Sequence, residues 1–217
     1  MLVIPAINEN DFAGVVARIK KCEEFLPSDG WVQIDVADDV FTARNGFNSP
    51  DELATLRISY GIELHLMLGD LNPILTTWLD ALTRATTGPK RAIFHLEVLT
   101  DPARVLAECR ARGIGVGLAL RPETEIGLAV PFLKDFPFIQ ILSVVPGISG
   151  QKFQPAMLDK VRFLREKSKD VIIEIDGGVN LEVAKVAKEA GANIVVAASA
   201  IFGNPSPKNA YEELINI

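Results

Sequence analysis

The chain has 217 residues, 48% apolar and 23% charged, which suits a globular protein with a substantial buried core and excludes disorder and collagen-like repeats. Twenty-eight acidic against 22 basic residues leave a net charge of −6, so sequence-independent nucleic-acid binding is not expected. No stretch approaches the roughly 18 to 20 consecutive apolar residues that a bilayer span needs.

The chain opens on Met1-Leu2-Val3-Ile4-Pro5, without the basic segment, apolar core and cleavage site of a secretory signal. Leu2 to Ile7 is the first of eight short, mostly aliphatic runs. The others are Trp31 to Val36, Ile62 to Met67, Ala92 to Leu96, Gly115 to Leu120, Phe138 to Val144, Val171 to Ile175 and Asn193 to Ala197. Such runs are expected of parallel strands buried on both faces. Amphipathic stretches lie between them. Gly30, Gly61 and Gly113 read as helix stops, Ser49-Pro50-Asp51-Glu52 as a capping box with proline at the first helical position, and Asn72-Pro73 as a second cap followed by proline. Asn180 reads as the cap of Leu181 to Ala190, whose stripe Val183, Ala184, Val186 and Ala187 ends at Gly191. The two cysteines, Cys22 and Cys109, fall in helical stretches and have no metal or redox spacing, which fits reduced thiols in a cytoplasmic protein.

Eight strands, each followed by a helical segment, with no linker or low-complexity tract, predict one α/β domain over residues 1–217, a single (β/α)8 TIM barrel. A doubly wound sheet is the competing arrangement, but no glycine-rich dinucleotide fingerprint follows the first strand.

In such a barrel the site lies at the carboxyl ends of the strands. Strand two ends Gln33-Ile34-Asp35, strand three His65-Leu66-Met67, strand four His95-Leu96-Glu97 and strand seven Asp176-Gly177-Gly178. Strands two and seven lie three steps apart round the ring, so Asp35 and Asp176 can face each other across the mouth, an arrangement suited to proton transfer on both faces of one carbon. With His65 they can also hold one divalent cation. Taken singly, each aspartate could instead cap a loop and each histidine could be a hydrogen-bonded core residue. A second constellation is rich in glycine: Pro146 to Gln151 after strand six, Gly177-Gly178 after strand seven and Ala198-Ser199 after strand eight. The last loops of these barrels, with a short extra helix, commonly hold a phosphate on backbone N–H groups. A set of tight turns without a ligand is the other reading.

Over nearly the whole chain, in order, these residues resemble ribulose-phosphate 3-epimerases. That family's Pro-Ser-Ile, His-x-Asp-x-Met-Asp-Gly, His-Leu-Met, His-x-Glu, Pro-x-Thr, Pro-Gly-Phe-Gly-Gly-Gln, Asp-Gly-Gly and Gly-Ser are answered here by Pro5-Ala6-Ile7, Gln33 to Asp39, His65-Leu66-Met67, His95-Leu96-Glu97, Pro122-Glu123-Thr124, Pro146 to Gln151, Asp176-Gly177-Gly178 and Ala198-Ser199. The resemblance implies a cytoplasmic isomerase that inverts a phosphorylated ketose at the carbon beside its carbonyl, through an enediolate stabilised by a divalent metal ion (Zn, Mn, Fe, Co or Mg). Asp35 and Asp176 are then the acid–base pair. Asp35, His65, Asp176 and Gln33 are the metal set, and Ser149, Gly150, Gly177, Gly178, Ala198 and Ser199 the phosphate cradle. Met67, His95 and Gly147 meet the substrate. A sugar phosphate is the implied partner, without nucleic acid or membrane, and a homo-oligomer is compatible with the resemblance.

The chain departs from the family at several of these places. Gln33 replaces a histidine ligand, and an amide oxygen is a weaker donor to zinc-like ions than imidazole. Ala6 replaces a serine that contacts the sugar, Ala37 and Leu142 replace methionines, and Asp39, Arg44, Ser149 and Ala198 replace smaller or amide residues. Asp39 and Arg44 are therefore candidates for reading a different substrate, or simply parts of a solvated loop. Another sugar-phosphate isomerisation or aldol-type step, or a sugar-phosphate-binding barrel that has lost its metal, are the alternative functions.

Overall fold

Eight strands pair in parallel in chain order, and the last pairs with the first, closing a barrel. In this computed structural model, which describes residues 1–42, 45–147 and 150–217, the strands are β1 Leu2–Ile7, β2 Trp31–Ala37, β3 Gly61–Met67, β4 Lys90–His95, β5 Gly115–Leu120, β6 Phe138–Leu142, β7 Ile172–Asp176 and β8 Ile194–Ala197. Leu2 stands opposite Ile194 and Ile4 opposite Val196. That closure rules out the open doubly wound sheet, and the architecture is the expected (β/α)8 TIM barrel. Among the described residues no helix is long and apolar enough to cross a membrane.

The outer layer holds α1 Phe12–Glu23, α2 Pro50–Leu53, α3 Leu75–Ala85, α4 Pro102–Ala111, α5 Met157–Lys167, α6 Leu181–Ala190, α7 Ser199–Phe202 and α8 Pro207–Ile215. Ser49 and Asn180 cap as expected, accepting from the backbone N–H of Glu52 and Val183. Asn72 does not cap. It gives its side-chain N–H to Thr100 Oγ1 at 2.9 Å, and α3 begins after Ile74 without a side-chain cap. Gly30 lies just before β2 and Gly61 begins β3, so neither ends a helix; a Cβ on Gly61 would meet the Trp31 ring at 2.4 Å, and that close approach is why glycine stands there. Val186 is exposed, and only Ala184, Ala187 and Ala190 of α6 are buried. After β5 the chain makes a 3-10 stretch, Ile126–Phe132, in place of an α-helix. Pro131 inside it has no N–H to give to a helical ladder.

Because side chains alternate along a strand, each strand has an outward and an inward face. Outward residues such as Val3, Ile34, Leu64, Phe94, Ile141, Ile175 and Val195 form one continuous core with the helices. Inward, Ile4, Ala6, Ile93, Ala119, Phe138, Ile194 and Val196 form a smaller apolar cluster that plugs one side of the barrel. The other side is polar: Gln33 pairs in register with Glu63, Asp35 with His65, Glu63 with Arg91, and Gln140 with Glu174. At its floor the Glu63 carboxylate is ion-paired with Arg91, whose guanidinium lies 3.6 Å from the centre of the Phe138 ring and 4.8 Å from that of Trp31. This floor sits directly beneath the carboxyl-end mouth and fixes what can stand there.

Candidate active site

At the mouth, β2 and β7 bring their aspartates to a common point. Gln33 Nε2 donates to Asp35 Oδ1 at 2.7 Å and to Asp176 Oδ2 at 2.8 Å, so one amide bridges the two carboxylates. His65 Nδ1 lies 3.1 Å from the same Asp35 oxygen and 3.6 Å from the same Asp176 oxygen. Asn8, just past β1, donates to the other Asp35 oxygen at 2.9 Å. One ligand atom from each of Asp35, His65 and Asp176 lies within 4.8 Å of the others. Burial and the neighbouring Asp35 charge push the Asp176 carboxyl up to about 7, because two carboxylates held this close resist ionising together. A pair of crowded carboxylates facing an imidazole nitrogen is the donor set a divalent cation takes, and these three residues fit one.

Behind His65 a second histidine sets its tautomer. His65 Nε2 and His95 Nε2 are 2.9 Å apart, and His95 Nδ1 lies 3.1 Å from Glu97 Oε2. A carboxylate only accepts, so His95 gives its Nδ1–H to Glu97, accepts at Nε2 from His65, and leaves His65 Nδ1 turned toward the aspartates. Burial lowers His95 to about 4 and keeps it neutral in this role. Burial also works against charge on His65, but Asp35 and Asp176 outweigh it and raise that imidazole above its ordinary value. Glu97 in turn accepts from the Arg121 backbone N–H at 2.8 Å and from Thr124 Oγ1. Burial opposes the Glu97 charge, yet these bonds and His95 hold its carboxyl at about 2.

The cleft above the carboxylates is walled by Ala6, Asn8, Met67 and Leu142 and roofed by the late loops with Gly147, Gly150, Gly177, Gly178, Ala198 and Ser199. Gly177 and Gly178 have φ of +112° and +63°, and a Cβ on Gly178 would come 2.4 Å from the Phe153 nitrogen, so that turn admits no side chain. Ser143 at the end of β6 ties it down, donating to the Asp176 carbonyl at 2.9 Å. Ser149 and Arg44 lie outside the described residues. Asp39 is exposed and does not line the cleft. Asp38 beside it is a loop pin, accepting from the N–H groups of Phe41 at 2.7 Å and Gly69 at 2.9 Å. His95 does not reach the cleft either. The Phe41 ring, 4.4 Å from its own between centres, lies against it, and among the described residues His95 meets the site through His65.

The sequence pattern described as the ribulose-phosphate 3 epimerase family matches residues 2–202. The chain belongs to that family. It is 30% identical to the ribulose-phosphate 3-epimerase of Schizosaccharomyces pombe over 99% of this chain and 92% of that one. It is 33% identical to the cytoplasmic isoform of Oryza sativa over 94% and 89%, and 32% identical to the Methanocaldococcus jannaschii enzyme over 94% and 85%. An isomerase of the carbohydrate epimerase class therefore occupies this barrel. Among solved structures, a 3-hexulose-6-phosphate synthase superposes with a TM-score of 0.66 at 16% identity, covering 99% of this chain and 98% of its own. The tryptophan synthase alpha-subunit of Pyrococcus furiosus does so with 0.69 at 18%, covering 100% and 98%. These two show the fold alone.

Within this family member, inspection of strand ends misses Asn8, Gln140, Glu63, Arg91 and Glu174. The signal for the last four is a polar residue at alternate positions inside otherwise aliphatic strands, where both faces are expected to be apolar. Asn8 carries no such signal, since it stands in a loop where polar residues are ordinary.

Proposed function

We propose that this epimerase inverts a ketose phosphate, ribulose 5-phosphate or a close relative, at C3, with Asp35 and Asp176 as the two proton-transfer groups. The observation that carries this reading is the convergence of the two carboxylates from β2 and β7 on one point at the mouth, bridged by a single amide and open to the cleft. One carboxylate removes the proton beside the carbonyl on one face, and the other returns a proton to the opposite face of the enediolate. Without a cation the Asp176 carboxyl is raised to about 7 by burial and by Asp35, and a bound cation would lower it again. Asn8 and Gln33 keep the pair apart and aimed by hydrogen-bonding its oxygens. Asp35, His65 and Asp176 would hold a divalent metal, which supplies positive charge to the developing enediolate oxygens. Gly147, Gly150, Gly177, Gly178, Ala198 and Ser199, with Ser149, would cradle the phosphate, since the backbone can approach an anion closely there. Met67, Ala6 and Leu142 supply an apolar wall that shields the reacting carbon from water. Cytoplasmic placement agrees with two buried, unpaired thiols whose burial raises each to about 12, beyond easy oxidation.

Ribulose 5-phosphate incubated with the protein and a divalent cation in D2O tests this directly. The expected outcome by NMR is deuterium at C3 together with the C3 epimer. Deuterium at a different carbon would assign the same site to another isomerisation.

A further inference from the structure

We infer that Gln33 meets the Asp35, His65 and Asp176 cluster with its amide nitrogen, and that Gln140 is the positioning residue that holds it so. This rests on the reading of those three residues as a cation site. Gln33 Nε2 lies 2.7 Å from Asp35 Oδ1, 2.8 Å from Asp176 Oδ2 and 3.5 Å from His65 Nδ1. Donors that sit about 2.0 to 2.2 Å from one ion are roughly 3 to 3.5 Å from each other, so the atom stands where a fourth ligand belongs. An amide nitrogen has no lone pair to give, and it presents hydrogens toward the place a cation would occupy.

Gln33 could ligate only by turning its oxygen inward, and the layer below opposes that. Gln140 Nε2 donates to Gln33 Oε1 at 2.7 Å and to Glu174 Oε1 at 2.8 Å. Both glutamines are fully buried, so no water can take over a lost partner. Turning Gln33 alone would set N–H against N–H on the Gln140 side and oxygen against two carboxylates on the other. Turning both amides would break the bond that Gln140 Nε2 gives to Glu174 Oε1. Position 140, on β6, thus decides the chemical face that position 33, on β2, shows to the cluster.

The consequence is a cation site whose fourth corner is closed by a neutral hydrogen-bond donor, and whose affinity is lowered by it. The test is calorimetric titration of metal-free protein with Mn2+ and Zn2+, comparing the native chain, Gln140→Leu and Gln33→His. In Gln140→Leu the Gln33 amide is free to turn, and cation binding should tighten by roughly tenfold, the worth of about one opposed hydrogen bond. Packing damage alone would weaken binding; because Gln140 Nε2 also lies 3.5 Å from Asp176 Oδ2, Gln33→Ala, which keeps Gln140, should tighten binding as well. Gln33→His should bind at least as tightly. Unchanged or weaker binding by folded Gln140→Leu overturns the inference. Should that variant fail to fold, Gln33→Ala takes its place: tighter binding supports the inference, and equal or weaker binding overturns it. Turnover measured on the same samples separates the two readings. Affinities in the expected order without epimerisation leave the inference standing and overturn the proposed function, whereas epimerisation without the order overturns the inference alone.

Discussion

On β2, Val32, Ile34 and Val36 point outward into an aliphatic core, while Gln33 and Asp35, each one residue away, point inward to hydrogen-bonding partners. The same contrast separates Leu64 from Glu63 and His65 on β3, and Ile173 and Ile175 from Glu174 and Asp176 on β7. The outward face is held by non-directional burial, which tolerates exchange of one aliphatic side chain for another of similar volume. The inward face is held by directional bonds between buried polar groups, where losing one partner strands the next. Fold and chemistry are thus carried by alternate residues of the same strands, and damage to one face should be separable from damage to the other.

The largest separation is expected at the site. Asp176→Asn keeps the volume and removes a crowded carboxylate, so epimerisation should fall by about 10² to 10⁴-fold, the worth of one general acid–base group, while the thermal midpoint is maintained. A rate within a factor of a few of the native one would remove Asp176 from proton transfer. Beneath it, Arg91→Met leaves the Glu63 carboxylate buried and unpaired and should cost about 3 to 5 kcal/mol in urea unfolding. Adding Glu63→Leu should restore most of that loss, because the pair is removed together. If the single change costs no more than the double one, the floor is not held by this ion pair.

On the outward face, Ile34→Ala should cost about 2 to 5 kcal/mol of stability through the cavity it leaves. The rate per folded molecule should stay near the native value, and a large fall in it would show that the two faces are coupled through the strand. The smallest effect belongs to Glu97. Its carboxyl is held at about 2 in the folded protein against an ordinary 4.5, so unfolding raises its pKa and the unfolded chain binds the extra proton first. Its contribution to stability is therefore complete above about pH 4.5 and is lost as the pH falls toward 2. Glu97→Gln should flatten that part of the acid limb, measured as urea midpoints between pH 6 and pH 3.

How much of this was legible in the sequence follows from the range of each signal. The eight aliphatic runs, the Ser49 and Asn180 caps and the placement of Asp35, His65 and Asp176 at strand ends rest on spacing within a few residues, and each reappears in the structure at that place. Asn72 failed as a cap because its side chain found Thr100, in the next βα loop, a competitor that no local pattern can announce. His95 stands at a strand end as expected, but the Phe41 ring from the loop after β2 lies against it, and it does not line the cleft.

Composition and period therefore determined the barrel, the end at which the site lies and the residue types gathered there, because alternation along a strand and the capping of helices are local properties of the backbone. Tertiary structure alone decided which atom of Gln33 faces the carboxylates. That choice depends on Gln140, a residue 107 positions away along the chain. A hydrogen bond between two buried amides has a direction only once the closed barrel has brought them together and shut out the water that would have satisfied either orientation.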